Sequence, residues 1–303
     1  MNPLKNRSAR MQARRSAASA PSPLAAPGAV PMPPTLAPGD YAAFLRSTLP
    51  QQTRGVASHR LGGERVWLKR AGPRHSLFRY RLLALLSRAF RLDVLTPVPN
   101  LGGEAAIGTE AQRLRSLAEV GVRVPRVLAQ QADGLLISDM GQGGRAAVVL
   151  NERLDHAAAS GPAALLAVWR EGLDAIAAVH ARGAYLSQAF SRNLMHCPDG
   201  SIGFIDFEDD PGATLTLAEC QTRDWLSYLH STALQVHALA PRAGAEHWHA
   251  VLAGADASVR ERIAHAAQRM RWLRHLPKGR RWGRDTQRVR AVARLLAQWH
   301  LAP

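Results

Sequence analysis

Hydrophobic and polar positions alternate with a period of two in three short parts of the chain. Residues 55–71 alternate around a Gly-Gly pair, which is typical of a β-hairpin whose second strand carries Lys69. An extended segment from residue 122 leads to a second hairpin that ends near residue 144. Residues 193–207 predict a third hairpin, with the turn sequence Pro-Asp-Gly between two apolar runs.

Helical spacing of apolar residues dominates the rest of the sequence. It predicts an arginine-rich amphipathic helix over 74–93 and a buried helix over 162–180. A further helix opens at Glu110 and ends before Gly121, and the pattern is helical from residue 217 onwards. Because hairpin strands come first and no regular βαβ alternation occurs, the pattern predicts an α+β fold.

Composition divides the chain into a tail and a domain. Residues 1–40 combine five basic residues with an Ala/Pro/Ser/Gly-rich run that cannot form a core, and we predict a disordered basic arm there. The alternative is that Met32 is the true start. Residues 41–303 form the predicted domain, and the 47% apolar content of the chain is sufficient for a core.

Net charge and cysteine content indicate the kind of partner and the cellular compartment. The chain has 39 Lys and Arg against 23 Asp and Glu, a formal net charge of +16, which implies an anionic partner such as lipid, nucleic acid or a phosphorylated ligand. The two cysteines, Cys197 and Cys220, show no disulfide framework, which fits a reducing compartment. No apolar run spans a bilayer and no signal-peptide core follows the basic start, so we expect a cytoplasmic protein.

The most informative motif runs from His180 to Glu208. A His-x-x-Gly sequence leads to a loop that ends at Asn193, and a hairpin then reaches an Asp-Phe-Glu triplet that starts at Asp206, thirteen positions later. This block resembles the catalytic segment of the protein-kinase-like superfamily. The triplet and the string Leu-Ile-Ser-Asp-Met-Gly resemble lipopolysaccharide and small-molecule kinases more than eukaryotic-type protein kinases. The alternative is that Asn193 and Asp206 only begin and end turns.

The resemblance implies a fold, cofactors and a set of roles. The fold is two-lobed, with a strand-rich N-lobe over about 41–141 that contains the basic helix 74–93 as an insertion, and a helical C-lobe over about 142–303. ATP and Mg²⁺ are the implied cofactors. The implied roles are magnesium ligation by Asn193, Asp206 and Glu208, phosphate binding by Lys69 with its partner Glu110, coverage of the phosphates by Gly62 and Gly63, and adenine binding near Ser138 and Asp139. Plainer alternatives stay open: a solvated strand lysine, a simple hairpin turn at the glycines, and a solvated acid at the third position of the triplet.

One position departs from the family pattern. The family's catalytic aspartate lies five positions before the loop asparagine, where this chain has Gln188. An amide cannot take the proton of a hydroxyl, but it can orient that hydroxyl, and phosphoryl transfer depends mainly on positioning and charge stabilisation. We therefore expect an ATP-dependent phosphotransferase with Gln188, Asn193 and Asp206 as catalytic residues, and Asp224 as a brace of the loop. Its acceptor would be a lipopolysaccharide-type sugar, a lipid or a small molecule. The alternative is a pseudokinase, a nucleotide-binding regulatory module.

Two basic segments bear on the partner surface. The arginines of 74–93 lie beside apolar residues, which suits peripheral contact with the inner face of an anionic membrane, or a helix packed on the N-lobe. From Val259 onwards twelve Lys and Arg face two acidic residues, with Trp272, Trp282 and Trp299 among them. Such a segment suits lipid headgroups or nucleic acid, or a helical pair with core tryptophans. A basic nucleic-acid-binding protein is therefore a further alternative, although the chain has no recognised binding motif.

Overall fold

Two antiparallel sheets and a set of helices make up the part of the chain that the computed structural model describes, residues 36–72 and 102–299. The helices are α1 (Pro38–Thr48), α2 (Gly103–Glu119), α3 (Leu150–Ser160), α4 (Pro162–His180), α5 (Leu217–Leu239), α6 (Pro241–Ala253), α7 (Ala257–Met270) and α8 (Arg284–Trp299). The strands are β1 (Val56–Leu61), β2 (Glu64–Arg70), β3 (Val127–Gln131), β4 (Gly134–Ser138), β5 (Val148–Val149), β6 (Leu194–His196) and β7 (Ile202–Phe204). The predicted α+β class is confirmed. None of the described helices is long and apolar enough to cross a membrane.

Two predicted segments lie outside the described residues. They are the arginine-rich helix of residues 74–93 and all of the basic arm except residues 36–40. Helix α1 begins at Pro38, within the predicted arm, and a proline suits this position because the first N–H groups of a helix have no partner inside it. Tyr41 and Leu45 of α1 are buried against the first sheet.

The first sheet has the strand order β1-β2-β4-β3, and β2 carries Lys69 in its interior. Successive side chains of a strand face opposite sides of the sheet. Val66 and Leu68 are therefore buried against α1, whereas Trp67 packs against the main core and Lys69 lies on that same face. The alternation of β2 thus directs one lysine away from α1 and towards the rest of the domain.

Helix α2 is longer than the sequence pattern predicted. It begins at Gly103, seven residues before Glu110, and ends at Glu119. The prediction that Glu110 opens this helix is wrong, because the preceding turns also contribute to its buried face through residues such as Ile107. Glu110 consequently lies in the middle of α2, on the same buried face as Leu114.

The second sheet has the order β5-β6-β7, and its hairpin β6–β7 is where the sequence predicted it. Leu194 pairs with Phe204, and the turn contains Gly200 with φ 84°. Gly203 on β7 is approached so closely by Met140 that a Cβ there would collide with the Met140 side chain. The chain that leaves β4 is thereby packed directly on the second sheet.

The helices after β5 form the main core around α4 and α5. The predicted helix over 162–180 is confirmed with the same bounds. Tyr228 of α5 occupies the space that a Cβ on Gly172 of α4 would need, and its hydroxyl donates to the backbone oxygen of Trp169 at 2.8 Å. The Trp169 ring N–H donates to Thr232 Oγ1 at 2.9 Å, so the polar atoms of these buried aromatic rings are satisfied.

Candidate active site

Lys69 and Glu110 form a buried ion pair at the centre of the candidate site. Lys69 Nζ lies 2.5 Å from Glu110 Oε2. Burial by itself lowers the pKa of Lys69, but the carboxylates of Glu110 and Glu208 outweigh burial, so the pKa of Lys69 lies above its usual value. Burial acts in the opposite sense on the pKa of Glu110 and raises it, and the ammonium counteracts that rise. The raised pKa of Lys69 keeps its ammonium charged, and the hydrogen bond from that ammonium favours the ionised form of Glu110.

Two carboxylates from the segment after β7 complete the surroundings of Lys69. Glu208 Oε1 lies 3.1 Å from Lys69 Nζ, and its side chain is 42% exposed. Asp206 adds a weaker electrostatic attraction to the same ammonium. Residues from β2, α2 and the segment after β7 therefore meet at one point. Three carboxylates face one ammonium there, which suits a cation as an additional occupant.

Asn193 is brought next to Asp206 by the β6–β7 hairpin. At the end of the ladder the backbone N–H of Ile205 donates to Asn193 O at 3.0 Å. The side-chain amide of Asn193 donates through Nδ2 to the backbone oxygen of Gln188, also at 3.0 Å. An amide has one donor end and one acceptor end, so this bond leaves Oδ1 as the end that can bind a cation.

Asp206 has an unusual backbone conformation. Its φ is 73°, and it is the one non-glycine residue with positive φ in the described part of the chain. A side chain in this region costs on the order of 1–3 kcal/mol, and such conformations cluster at functional sites. The strain therefore coincides with the residue to which the sequence motif assigns a metal.

The loop before Asn193 is braced by Asp224, which lies inside α5, seven positions after its first residue Leu217. Asp224 Oδ2 accepts a hydrogen bond from the backbone N–H of Leu186 at 2.6 Å and lies 3.1 Å from His180 Nε2. The His180 ring packs edge-on against Trp225, with the ring centroids 5.0 Å apart. One buried carboxylate thus joins the end of α4 to the loop.

Gln188 is held by a residue to which the sequence analysis gave no role. Gln188 Nε2 donates to Asp209 Oδ2 at 2.6 Å. Ser187 Oγ donates to the backbone oxygen of Asp209 at 2.5 Å, so the carboxylate and the main chain of Asp209 are both tied to the loop. In the sequence, Asp209 is only the middle member of an acidic run that follows the Asp-Phe pair. That run, read together with an amide at the expected carboxylate position, is the signal that would have identified it.

A second cluster that the sequence analysis missed joins the loop to α2. Tyr185 donates its hydroxyl hydrogen to Asp210 Oδ1 at 2.5 Å, and the Arg113 guanidinium lies 4.0 Å from the centre of the Tyr185 ring. Burial and the bond to Asp210 raise the pKa of Tyr185. Arg113 lies three positions after Glu110 on α2. The helix that carries Glu110, the partner of Lys69, therefore also contacts the loop that contains Gln188.

Ser138 and Asp139 lie where the chain leaves β4. Their backbone N–H groups donate to backbone oxygens of neighbouring segments at 2.9 and 3.2 Å, and the Asp139 carboxylate accepts from the ring N–H of Trp67 at 2.7 Å. These N–H groups are therefore engaged within the protein and are not available to an adenine ring. The next residue, Met140, has backbone groups that make no hydrogen bond with the described part of the chain.

The Gly62-Gly63 turn is remote from Lys69. The β1–β2 register pairs Val56 with Lys69, whereas the turn lies at the opposite end of the hairpin. Gly63 lies six positions before Lys69, about 20 Å at the rise of a β-strand. This geometry argues against phosphate coverage by Gly62 and Gly63. Val56 is the residue paired with Lys69, and the oxygen of Gly55, one position earlier, accepts from the N–H of Arg70 at 2.7 Å.

Comparison with known proteins gives this chain no family. No protein-family model matches it, and no curated protein is significantly similar in sequence. The functional argument therefore depends on the chemistry of the site.

The donor set at the site fits magnesium. Mg²⁺ prefers oxygen ligands and is usually bound by one or two carboxylates together with substrate phosphates and water. Asp206, Asn193 Oδ1 and Glu208 are oxygen donors of this kind. Among the described residues no group of three or more His, Cys, Asp or Glu side chains is arranged to hold a metal by itself. A cation at this site would take its remaining ligands from phosphate oxygens and water.

Proposed function

We propose that the chain is an ATP-dependent phosphotransferase with a two-lobed, protein-kinase-like fold, which transfers a phosphoryl group to a hydroxyl acceptor. In this proposal the first sheet with α1 and α2 is the N-lobe, and the later helices with the second sheet are the C-lobe. The observation that carries the proposal is the buried Lys69–Glu110 pair beside Asp206 and Glu208. A buried charge cluster of this kind contributes little to stability, whereas a polyanionic ligand with a divalent cation would balance its charges.

Each charged residue then has a defined role. Lys69, oriented by Glu110, binds phosphate oxygens of ATP. Asp206 and Asn193 hold Mg²⁺, with Glu208 as a further carboxylate at the edge of the site. When bound, the ion neutralises negative charge on the phosphates during transfer.

The nucleotide would lie between the two sheets. Met140 offers a backbone donor and a backbone acceptor beside β4, which is the combination that the edge of an adenine ring requires. Gly55 lies opposite Arg70, one residue along the chain from Lys69, and has no side chain, so the backbone there can approach a phosphate closely. These two residues replace Ser138, Asp139 and the Gly62-Gly63 turn in the proposed nucleotide site.

In the proposed reaction, phosphoryl transfer proceeds without a protein side chain as general base. The acceptor oxygen forms a bond to the γ-phosphorus while the bond from phosphorus to the β–γ bridging oxygen breaks. ADP keeps the electron pair, and the hydroxyl proton passes to a phosphoryl oxygen. Gln188 orients the acceptor but takes no proton, and a general base typically contributes about 10²- to 10⁴-fold, so we expect slow turnover.

The test is a calorimetric titration with ATP, with and without Mg²⁺. We expect binding that requires Mg²⁺ and that is strongly weakened in Lys69→Met. Arg60→Met is the matched control, because Arg60 is an exposed basic residue of the same hairpin. Equal ATP binding without Mg²⁺ and in Lys69→Met would contradict the proposal.

The pseudokinase alternative is favoured by Gln188 alone. It shares the nucleotide site and predicts ATP binding without transfer. Formation of ADP and of a phosphorylated product decides between the two, with Asp206→Asn as the inactive reference. If wild type binds ATP but forms no more ADP than this variant on any hydroxyl acceptor, the pseudokinase explanation replaces the enzyme.

A segment with exposed tryptophan and basic residues indicates where the phosphoryl acceptor would lie. Trp272 and Trp282 are 54% and 53% exposed, which is unusual for so large an apolar side chain. Arg271, Lys278 and Arg281 in the same segment are also exposed. Exposed tryptophan among basic residues is typical of peripheral contact with an anionic membrane surface. An acceptor on a lipid or lipopolysaccharide would be reached from such a surface.

A further inference from the structure

The orientation of the Gln188 side chain is fixed by the chemistry of its partner. An amide can be turned by 180° so that its oxygen and nitrogen exchange places, and the hydrogen-bond partners decide which arrangement holds. Asp209 is a carboxylate, which only accepts hydrogen bonds. The contact of 2.6 Å therefore places Gln188 Nε2 against Asp209 Oδ2 and leaves the amide oxygen Oε1 at the other end.

Asp209 is itself restrained from three directions. Its backbone oxygen accepts from Ser187 Oγ at 2.5 Å, and its carboxylate accepts from Gln188. Arg223 of α5 attracts it electrostatically: burial lowers the pKa of Arg223, and the Asp209 carboxylate opposes that shift. Ser187 is buried, so its bond to Asp209 is shielded from water. Asp209 can therefore act as a fixed anchor.

The Gln188–Asp209 pair joins the loop before Asn193 to the segment that contains the proposed metal ligands. The backbone oxygen of Gln188 accepts from Asn193 Nδ2 at 3.0 Å, and Asp209 follows Glu208 directly in the chain. In the proposed function, Gln188 orients the acceptor hydroxyl. The end of the amide that is presented there decides how that hydroxyl is held.

We propose that Asp209 is a positioning residue that presents Gln188 Oε1 to the acceptor hydroxyl. This inference rests on the proposed function. An amide oxygen accepts a hydrogen bond from the hydroxyl group. The lone pairs of the hydroxyl oxygen then stay free to attack the γ-phosphorus. The reversed amide would donate its N–H to those lone pairs and oppose the attack. Asp209 thus selects the productive orientation.

The test is a double-mutant cycle on ADP formation with Mg²⁺-ATP, using water and a panel of sugars as acceptors. We expect Asp209→Asn to lower kcat about tenfold, because Asn can pair with either end of the amide, and to leave the KM for ATP unchanged. Asp209→Glu should recover part of the loss. In a Gln188→Ala background Asp209→Asn should have no further effect. Asp133→Asn, in the exposed β3–β4 turn, is the matched control.

A second measurement does not depend on activity. The side-chain NH₂ resonances of Gln188, assigned by their loss in Gln188→Ala, should shift in Asp209→Asn and stay in place in Asp133→Asn. Unshifted resonances would overturn the positioning role. So would a loss of kcat from Asp209→Asn that is the same in wild type and in Gln188→Ala. If wild type forms no ADP with any acceptor while the resonances shift as expected, the pair exists but the proposed function fails, and the role in transfer fails with it.

Discussion

The imidazole of His180 lies 3.1 Å from the carboxylate of Asp224, although 44 residues separate them in the chain. The same carboxylate oxygen accepts the backbone N–H of Leu186. One buried group therefore fixes both the end of α4 and the start of the loop that contains Gln188. The position of the loop depends on the helical core, and a change at Asp224 should affect both.

We expect Asp224→Ala to destabilise the protein by about 3 kcal/mol, because it leaves a buried imidazole and a buried backbone N–H without their partner. Urea unfolding followed by circular dichroism measures this loss. Glu246→Ala, at an exposed position of α6, should change the free energy of unfolding by less than about 0.5 kcal/mol. Equal stability of Asp224→Ala and wild type would show that the brace contributes nothing.

The Lys69–Glu110 pair allows function and stability to be separated. Glu110→Ala leaves the buried ammonium with the half-exposed Glu208 and the weaker attraction of Asp206, and should cost about 3 kcal/mol of stability. The double variant Lys69→Met/Glu110→Gln removes both charges and should be close to wild type in stability, yet bind no ATP. Thermal unfolding with and without Mg²⁺-ATP measures both effects. A double variant that still gains stability from ATP would rule out Lys69 as the phosphate ligand.

Asp206→Asn should abolish the magnesium-dependent binding of ATP. The amide keeps the size of the side chain but loses the charge that attracts the cation. In wild type, ATP should raise the melting temperature only when Mg²⁺ is present, and in the variant the metal should add nothing. If Mg²⁺ strengthens ATP binding equally in both proteins, the cation is held elsewhere.

Acidification should destabilise the protein through His230. Burial lowers the pKa of His230, Arg288 and Arg192 lower it further, and Asp285 opposes them. Histidine has a pKa of about 6.5 in an unfolded chain. The unfolded chain therefore binds the proton more readily than the folded protein. Stability from this group is complete above that pH and is lost as the pH falls below it.

The measurement for His230 is the melting temperature at pH 7.5 and pH 5.5. His230→Gln should show a smaller fall between the two conditions than wild type. His265→Gln, an exposed control, should retain the full fall. An identical pH dependence in His230→Gln would show that His230 is not protonated on unfolding.

Contact with a membrane should depend on both charge and tryptophan. We expect wild type to sediment with vesicles that contain phosphatidylglycerol but not with pure phosphatidylcholine, because each basic residue near an anionic surface contributes about 1 kcal/mol. Trp272→Ala/Trp282→Ala should reduce this binding and should leave the melting temperature nearly unchanged, since both side chains are largely exposed. Preferential binding to duplex DNA with a steep salt dependence would favour the nucleic-acid alternative instead.

The sequence predicted those features that depend on local pattern. The three hairpins and the helix over 162–180 follow from alternation, turn residues and apolar spacing, and the structure confirms them. Glu110 was misplaced within its helix because its charge resembled a first-turn acid, whereas burial next to Lys69 is a tertiary effect. The distance of the Gly-Gly turn from Lys69 required the strand register. Asp209 was missed because its bond to Gln188 joins positions 21 apart, and the acidic run around it was the only sequence signal that pointed to it.

The positive φ of Asp206 implies a trade-off between stability and activity at this position. Glycine adopts this backbone region without a steric penalty, so Asp206→Gly should relax the strained loop and offset the entropy that glycine adds to the unfolded chain. A search for more stable variants would be drawn to a substitution that removes the proposed metal ligand. Folding alone gives no reason for an aspartate here, and in the conformation it keeps its carboxylate attracts the Lys69 ammonium.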